Sequence, residues 1–233
     1  MSSLKQIIIV KKSQWRVLVS SFLQLVNPGI MTLLGYTLES EGDAPQITPA
    51  AFTFIVWGVI TTLSFAYGVY QALPHHGNNG LHMILSKTLT TIYLLFVVWL
   101  IAAAMQLLFI TVLIFVVMFI VLILVFDKLI KERNNLNRAE QIILFGQIAI
   151  YTGWTTIAIF ANTASAIKYY GLSGVGVTGM IWQAAILILA LINGKYWLEK
   201  FNRNLTFGIT LLWALTGVFF GLIQYKKWAL TNN

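Results

Sequence analysis

Gln147, Tyr151, Trp154, Ala158, Asn162 and Ser165 recur at steps of three or four, which puts them on one face of a helix. Those residue types suit binding better than bond-making. Tyr and Trp offer flat apolar rings with one polar handle, and Asn and Gln offer both donors and acceptors. A second stripe, Phe54, Trp57, Thr61, Ser64 and Gly68, repeats the spacing. Facing one another, the two would form an apolar, aromatic-lined cleft with a few hydrogen-bonding points, a site for a flat, hydrophobic ligand. The same spacing also fits a filled core in which Asn162 only satisfies a neighbouring backbone group.

Reactive chemistry lacks its agents, so no enzyme is expected. The chain has no cysteine, and the stripes hold no acid and no histidine. General acid–base catalysis therefore has no evident carrier. His75, His76 and His82 read as a short loop with Pro74, Gly77 and Gly80, with no carboxylate or thiol near them in sequence to complete a metal site. Gly174, Gly176 and Gly179 have the spacing of a dinucleotide fingerprint but lack the strand that must precede it; a closely packed turn explains them. The last apolar segment, 205–225, contains no lysine for a Schiff base, and the spans show no acid or histidine well inside them for a proton relay.

The elements that position the stripes are membrane helices. Between Lys87 and Asp127 lie 39 residues without Asp, Glu, Lys or Arg. As one helix they would run roughly 58 Å, about twice the ~30 Å hydrocarbon core, so the chain crosses and returns, turning near Met105–Gln106. Composition agrees, with 58% hydrophobic and 9% charged residues. The spans are apolar on nearly all sides, unlike the alternating strands of a membrane barrel. Seven spans are predicted, near 15–37, 49–72, 84–105, 107–126, 140–167, 176–194 and 205–226. With a cytoplasmic N-terminus, twelve of the fifteen basic residues fall on the inside, and Glu39, Glu41 and Asp43 fall in an outside loop. The charge of +8 thus reads as topology and not as nucleic-acid binding. The basic loops 128–138 and 195–203 could alternatively meet a partner or anionic lipid. Trp15, Tyr36, Tyr169, Tyr170, Tyr196, Trp197, Tyr225 and Trp228 sit at interface depth as an aromatic belt. Gly217 and Gly221 form a small-x-x-x-small pair for close helix packing or for a homodimer face.

Gly153-Trp154, Ala158 and Asn162 together resemble the fifth-helix pattern of the TspO/MBR family, the tryptophan-rich sensory proteins that include the translocator protein. Thr48-Pro49, Phe52, Phe54, Trp57 and Gly58 are similar to the opening of that family's second helix in its longer bacterial branch. Phe52, Thr61 and Phe96 depart from the family pattern. The resemblance implies an all-α integral membrane protein: a cytoplasmic N-terminus at 1–14, a five-helix bundle at 15–168, and two further helices with the C-terminus at 169–233. It also implies binding of a tetrapyrrole such as protoporphyrin IX or haem. Phe54, Trp57, Trp99, Tyr151, Trp154, Ala158 and Asn162 would then line or support the pocket. The three acids of loop 37–48 would repel porphyrin propionates. The expected protein is a receptor, sensor or transporter in the cell's inner (plasma) membrane, N-terminus inside and C-terminus outside. The alternative is an accessory membrane subunit with a filled core that regulates a partner.

Overall fold

The computed structural model describes residues 2–36, 44–73, 76 and 79–231, with side chains described between 12 and 227. Seven long helices carry the chain: α1 (Ser2–Leu33), α2 (Ile55–Ala72, entered through a 3-10 turn Ala51–Phe54), α3 (Gly80–Ala104), α4 (Leu108–Glu132), α5 (Arg138–Tyr169), α6 (Gly176–Lys200) and α7 (Leu205–Thr231). There is no strand among the described residues. Six of them, α2 to α7, are long and apolar enough to cross a bilayer. α1 falls outside that group because its inward face carries buried Ser20, Ser21, Gln24 and Asn27.

Packing follows from which faces hold polar atoms. The neighbours run α1, α2, α5, α4, α3 and back to α1, a closed ring of five helices; α6 and α7 lie against the outer side of α5. α5 is therefore the central post, and nearly three quarters of its best apolar window is buried. Many Leu, Ile and Phe side chains on the other helices face outward, as expected where lipid is the solvent.

Most helices outrun the spans marked by charge. α4 continues to Glu132 instead of 126, and α6 to Lys200 instead of 194, because their last turns extend beyond the apolar stretch with charged residues on them. The turn at Met105–Gln106 stands where chain length demanded it. Leu107 N–H donates to Ala102 O at 2.9 Å and Gln106 N–H to Ala103 O at 3.0 Å, closing a Schellman stop. Gln106 takes the left-handed position, φ 58°, that glycine usually fills.

His82 departs from expectation. α3 begins at Gly80, capped by Asn79 through Leu81 N–H at 2.9 Å, so His82 lies in a helix and not in a loop. It is 2% exposed. Its Nε2 meets Glu140 Oε1 at 2.9 Å, and its Nδ1 meets the Tyr67 hydroxyl at 2.7 Å. The carboxylate that sequence proximity could not supply comes from 58 residues away. Glu140 is itself 4% exposed and closes a capping box at the start of α5, accepting from Asn137 N–H at 3.0 Å. One acid and one histidine are thus buried, but in the first turns of α5 and α3 and not well inside the spans. His75 lies outside the described residues, and no group of metal-ligating side chains occurs among the described ones.

α6 and α7 fasten the approach to α2. Gln183 Oε1 accepts from Gln46 N–H at 2.6 Å, Ala50 N–H donates to Gly217 O at 2.9 Å, and the Trp213 indole donates to Thr53 O at 3.0 Å. A Cβ on Gly217 would meet the Thr53 side chain, and one on Gly221 would run into the Thr48 carbonyl. The glycine pair thus serves packing within the chain.

Two stability predictions follow from this packing. Gly221→Ala should cost about 1–3 kcal/mol by overpacking against backbone, whereas Gly58→Ala, where a Cβ meets nothing within 4 Å, should be neutral or stabilising by up to ~1 kcal/mol. Thermal unfolding of both variants in detergent checks this. His82→Ala, Glu140→Ala and the double variant should show a coupling of about 1–3 kcal/mol; additive losses would deny the pair.

Candidate functional site

The two stripes do meet. Phe54 ends the 3-10 turn before α2, Trp57 stands one turn into α2, and Tyr151 and Trp154 come from the middle of α5. Phe96 and Trp99 reach in from α3, and Phe115 from α4. The Trp57 ring lies 4.8 Å from Phe96, 5.5 Å from Trp99, 5.6 Å from Tyr151 and 6.1 Å from Trp154, centroid to centroid. Phe54 meets Trp154 edge-on at 5.7 Å, and Phe115 meets Trp99 at 5.0 Å. Such tilted and T-shaped contacts set the positive edge of one ring on the negative face of another. The rings themselves fill the junction between the stripes.

Two polar layers bracket the rings. On one side the Tyr151 hydroxyl accepts from Gln24 Nε2 at 3.3 Å and donates to Met118 Sδ at 3.2 Å. Gln147 Nε2 donates to Ser64 Oγ at 2.9 Å, and Tyr93 donates to Gln147 Oε1 at 3.4 Å. On the other side Asn162 Nδ2 donates to Thr111 Oγ1 at 2.8 Å, tying α5 to the start of α4. Ala158, half-buried against the core, lies between Trp154 and Asn162. Five of the seven expected residues thus join one ring cluster. Ala158 and Asn162 follow it one and two turns farther along α5.

Two indole nitrogens in this cluster, and Gln24 Oε1 beside it, lack what burial demands. Trp154 is 1% exposed and Trp99 6%, yet neither indole N–H has an acceptor among the described residues. A buried donor without a partner costs about 1–3 kcal/mol. The cluster contains stacking faces and two donors but no charged side chain, so it suits an apolar flat molecule bearing an acceptor atom. Among the described residues of the cluster, no side chain would pair with a tetrapyrrole's propionates. Glu39, Glu41 and Asp43 of loop 37–48 lie outside the described residues.

Sequence reasoning missed several contributors. Phe96 and Phe115 are buried in the cluster, and Gln24 comes from α1. Gln24 had a signal, since a glutamine inside an apolar helix must find a partner. Trp213 and Gln183, which hold the entrance to α2, carried the same signal of a polar group within a span.

No curated protein and no solved structure matches the chain. A family model described as TSPO-like protein matches residues 37–230, from the loop after α1 through α6 and into α7. With that match covering most of its length, the chain belongs to the TSPO-like protein family.

Proposed function

We propose that this protein is a non-enzymatic membrane receptor, sensor or transporter that takes a flat, largely apolar, tetrapyrrole-like ligand among Trp57, Trp99, Tyr151 and Trp154, with Phe54 at the edge. The unpaired indole donors of Trp99 and Trp154 carry the reading, because a ligand acceptor would satisfy groups that the fold leaves buried and bare. Ala158 gives the ligand a low wall, and Asn162 holds α4 against α5 through Thr111. Entry requires the Trp57 and Trp99 rings to part, since they now touch. Membership of the family supports the membrane setting and the class of protein.

A second reading is an accessory membrane subunit whose core is already full. The mutual contact of the rings favours it. Under either reading we place seven spans in the inner (plasma) membrane, with five helices forming the binding bundle and α6 and α7 bracing it. The N-terminus is inside and the C-terminus outside.

Titration of the purified protein with protoporphyrin IX or haem should quench tryptophan emission. Trp154→Phe and Trp99→Phe should each weaken binding about tenfold while raising the melting temperature of the ligand-free protein, because each removes a bare donor. Unchanged affinity in both variants would reject the pocket and leave the filled core. For orientation, the cysteine-free chain allows single labels. In intact spheroplasts an impermeant maleimide should modify Ser173→Cys and spare Glu132→Cys until the membrane is broken.

A further inference from the structure

α6 and α7 both lean on α5 but touch one another little beyond their shared turn. A groove of about 420 Å³ opens between them. Ile157 of α5 lies at its base, with Leu191 and Leu198 on one wall and Leu212 and Leu215 on the other. Gly194 and Gly208 keep it wide; a Cβ on Gly208 would come within 3.3 Å of Leu198. Leu212, 66% exposed, forms part of its lip, so the groove communicates with the surrounding bilayer.

The chemistry changes sharply along its length. Lys195, Arg203 and Asn204 line the end at the α6–α7 turn, and every other lining residue is apolar or glycine. Neither cation lies within ion-pair distance of an acid among the described residues. From Asn204 to Leu215 the wall rises about 16 Å at ~1.5 Å per residue, close to one leaflet's half of the ~30 Å hydrocarbon core. A leaflet-deep apolar slot under two free cations matches one kind of molecule.

We propose that this groove holds one anionic phospholipid, with an acyl chain along Ile157 and the walls and the phosphate between Lys195 and Arg203. Zwitterionic lipid would fill the slot without that charge gain, since its own cation meets Lys195 and Arg203. Each basic residue near a membrane surface gives about a fivefold preference for anionic lipid, so two give about twenty-five-fold. The lipid would steady α6 and α7 beside their shared turn, a role that does not depend on the aromatic cluster binding anything.

Native mass spectrometry of the full chain, released from micelles with equal phosphatidylglycerol and phosphatidylcholine, tests this. The expected result is one retained phosphatidylglycerol, favoured on the order of twenty-five-fold. Lys195→Gln with Arg203→Gln, at exposed positions, should bring the ratio near parity, and Gly208→Leu should expel the lipid. A folded chain without the preference overturns the proposal, as does a preference that survives the double charge change. Loss in the charge variant with full retention in folded Gly208→Leu would reduce the effect to surface attraction and also overturn the groove.

Discussion

Hydrocarbon cannot hydrogen-bond, so polar side chains within these helices mostly look inward for partners or return to their own helix's carbonyls, as Thr91 and Thr216 do. α5 bears the most of them, and the rest of the fold is arranged to answer it. Gln147 reaches Ser64 and Tyr93, Tyr151 reaches Gln24 and Met118, and Asn162 reaches Thr111. Those partners sit on α2, α3, α1 and α4, the four other helices of the ring. One helix's polar face thus specifies which neighbours surround it and at what depth. Apolar packing alone gains little between helices when the competing solvent is itself apolar.

The same constraint explains what could be read from the chain alone. Helix number and the two stripes were legible because lipid demands long charge-free runs and inward polar residues. The α3–α4 turn was legible only by length, since Gln106 occupies a left-handed position that carries no residue signature of a stop. His82 and Glu140 were not legible as a pair. Each stands at a helix end, where a charged or titratable residue ordinarily meets water, and their contact joins α3 to α5 across 58 residues. The capping box that buries Glu140 is local, but the histidine it meets is a product of the fold. The glycines of α7 were legible as packing residues, while their partners Thr48 and Thr53 were not.

Both ends of α5 are held differently. At the Glu140 end a hydrogen-bonded knot of Tyr67, His82, Glu140 and Asn137 fastens α2, α3 and α5 together, beside the π-turn Gln141–Gly146. At the Asn162 end Asn162 reaches Thr111, Lys168 Nζ donates to Ala44 O at 3.2 Å, and the segment that leads into α2 is held from outside by Gln183, Trp213 and Gly217. The ring cluster lies between these two ends.

Between these two tied ends the two bare indoles persist. A fully closed core would ordinarily be expected to pair Trp99 and Trp154 or replace them with phenylalanine, which packs as well and leaves no donor exposed to hydrocarbon. Phe96 and Phe115 show that phenylalanine fits this neighbourhood. Keeping two indoles there, at a cost of about 1–3 kcal/mol each, is reasonable if a bound acceptor returns that energy. The ligand would then gain from the indoles what the empty bundle lacks, and the outer brace of α6 and α7 would set how readily α2 yields. On the proposed reading, binding rests on leaving the Trp99 and Trp154 donors unanswered inside a bundle that answers most of its other buried polar groups.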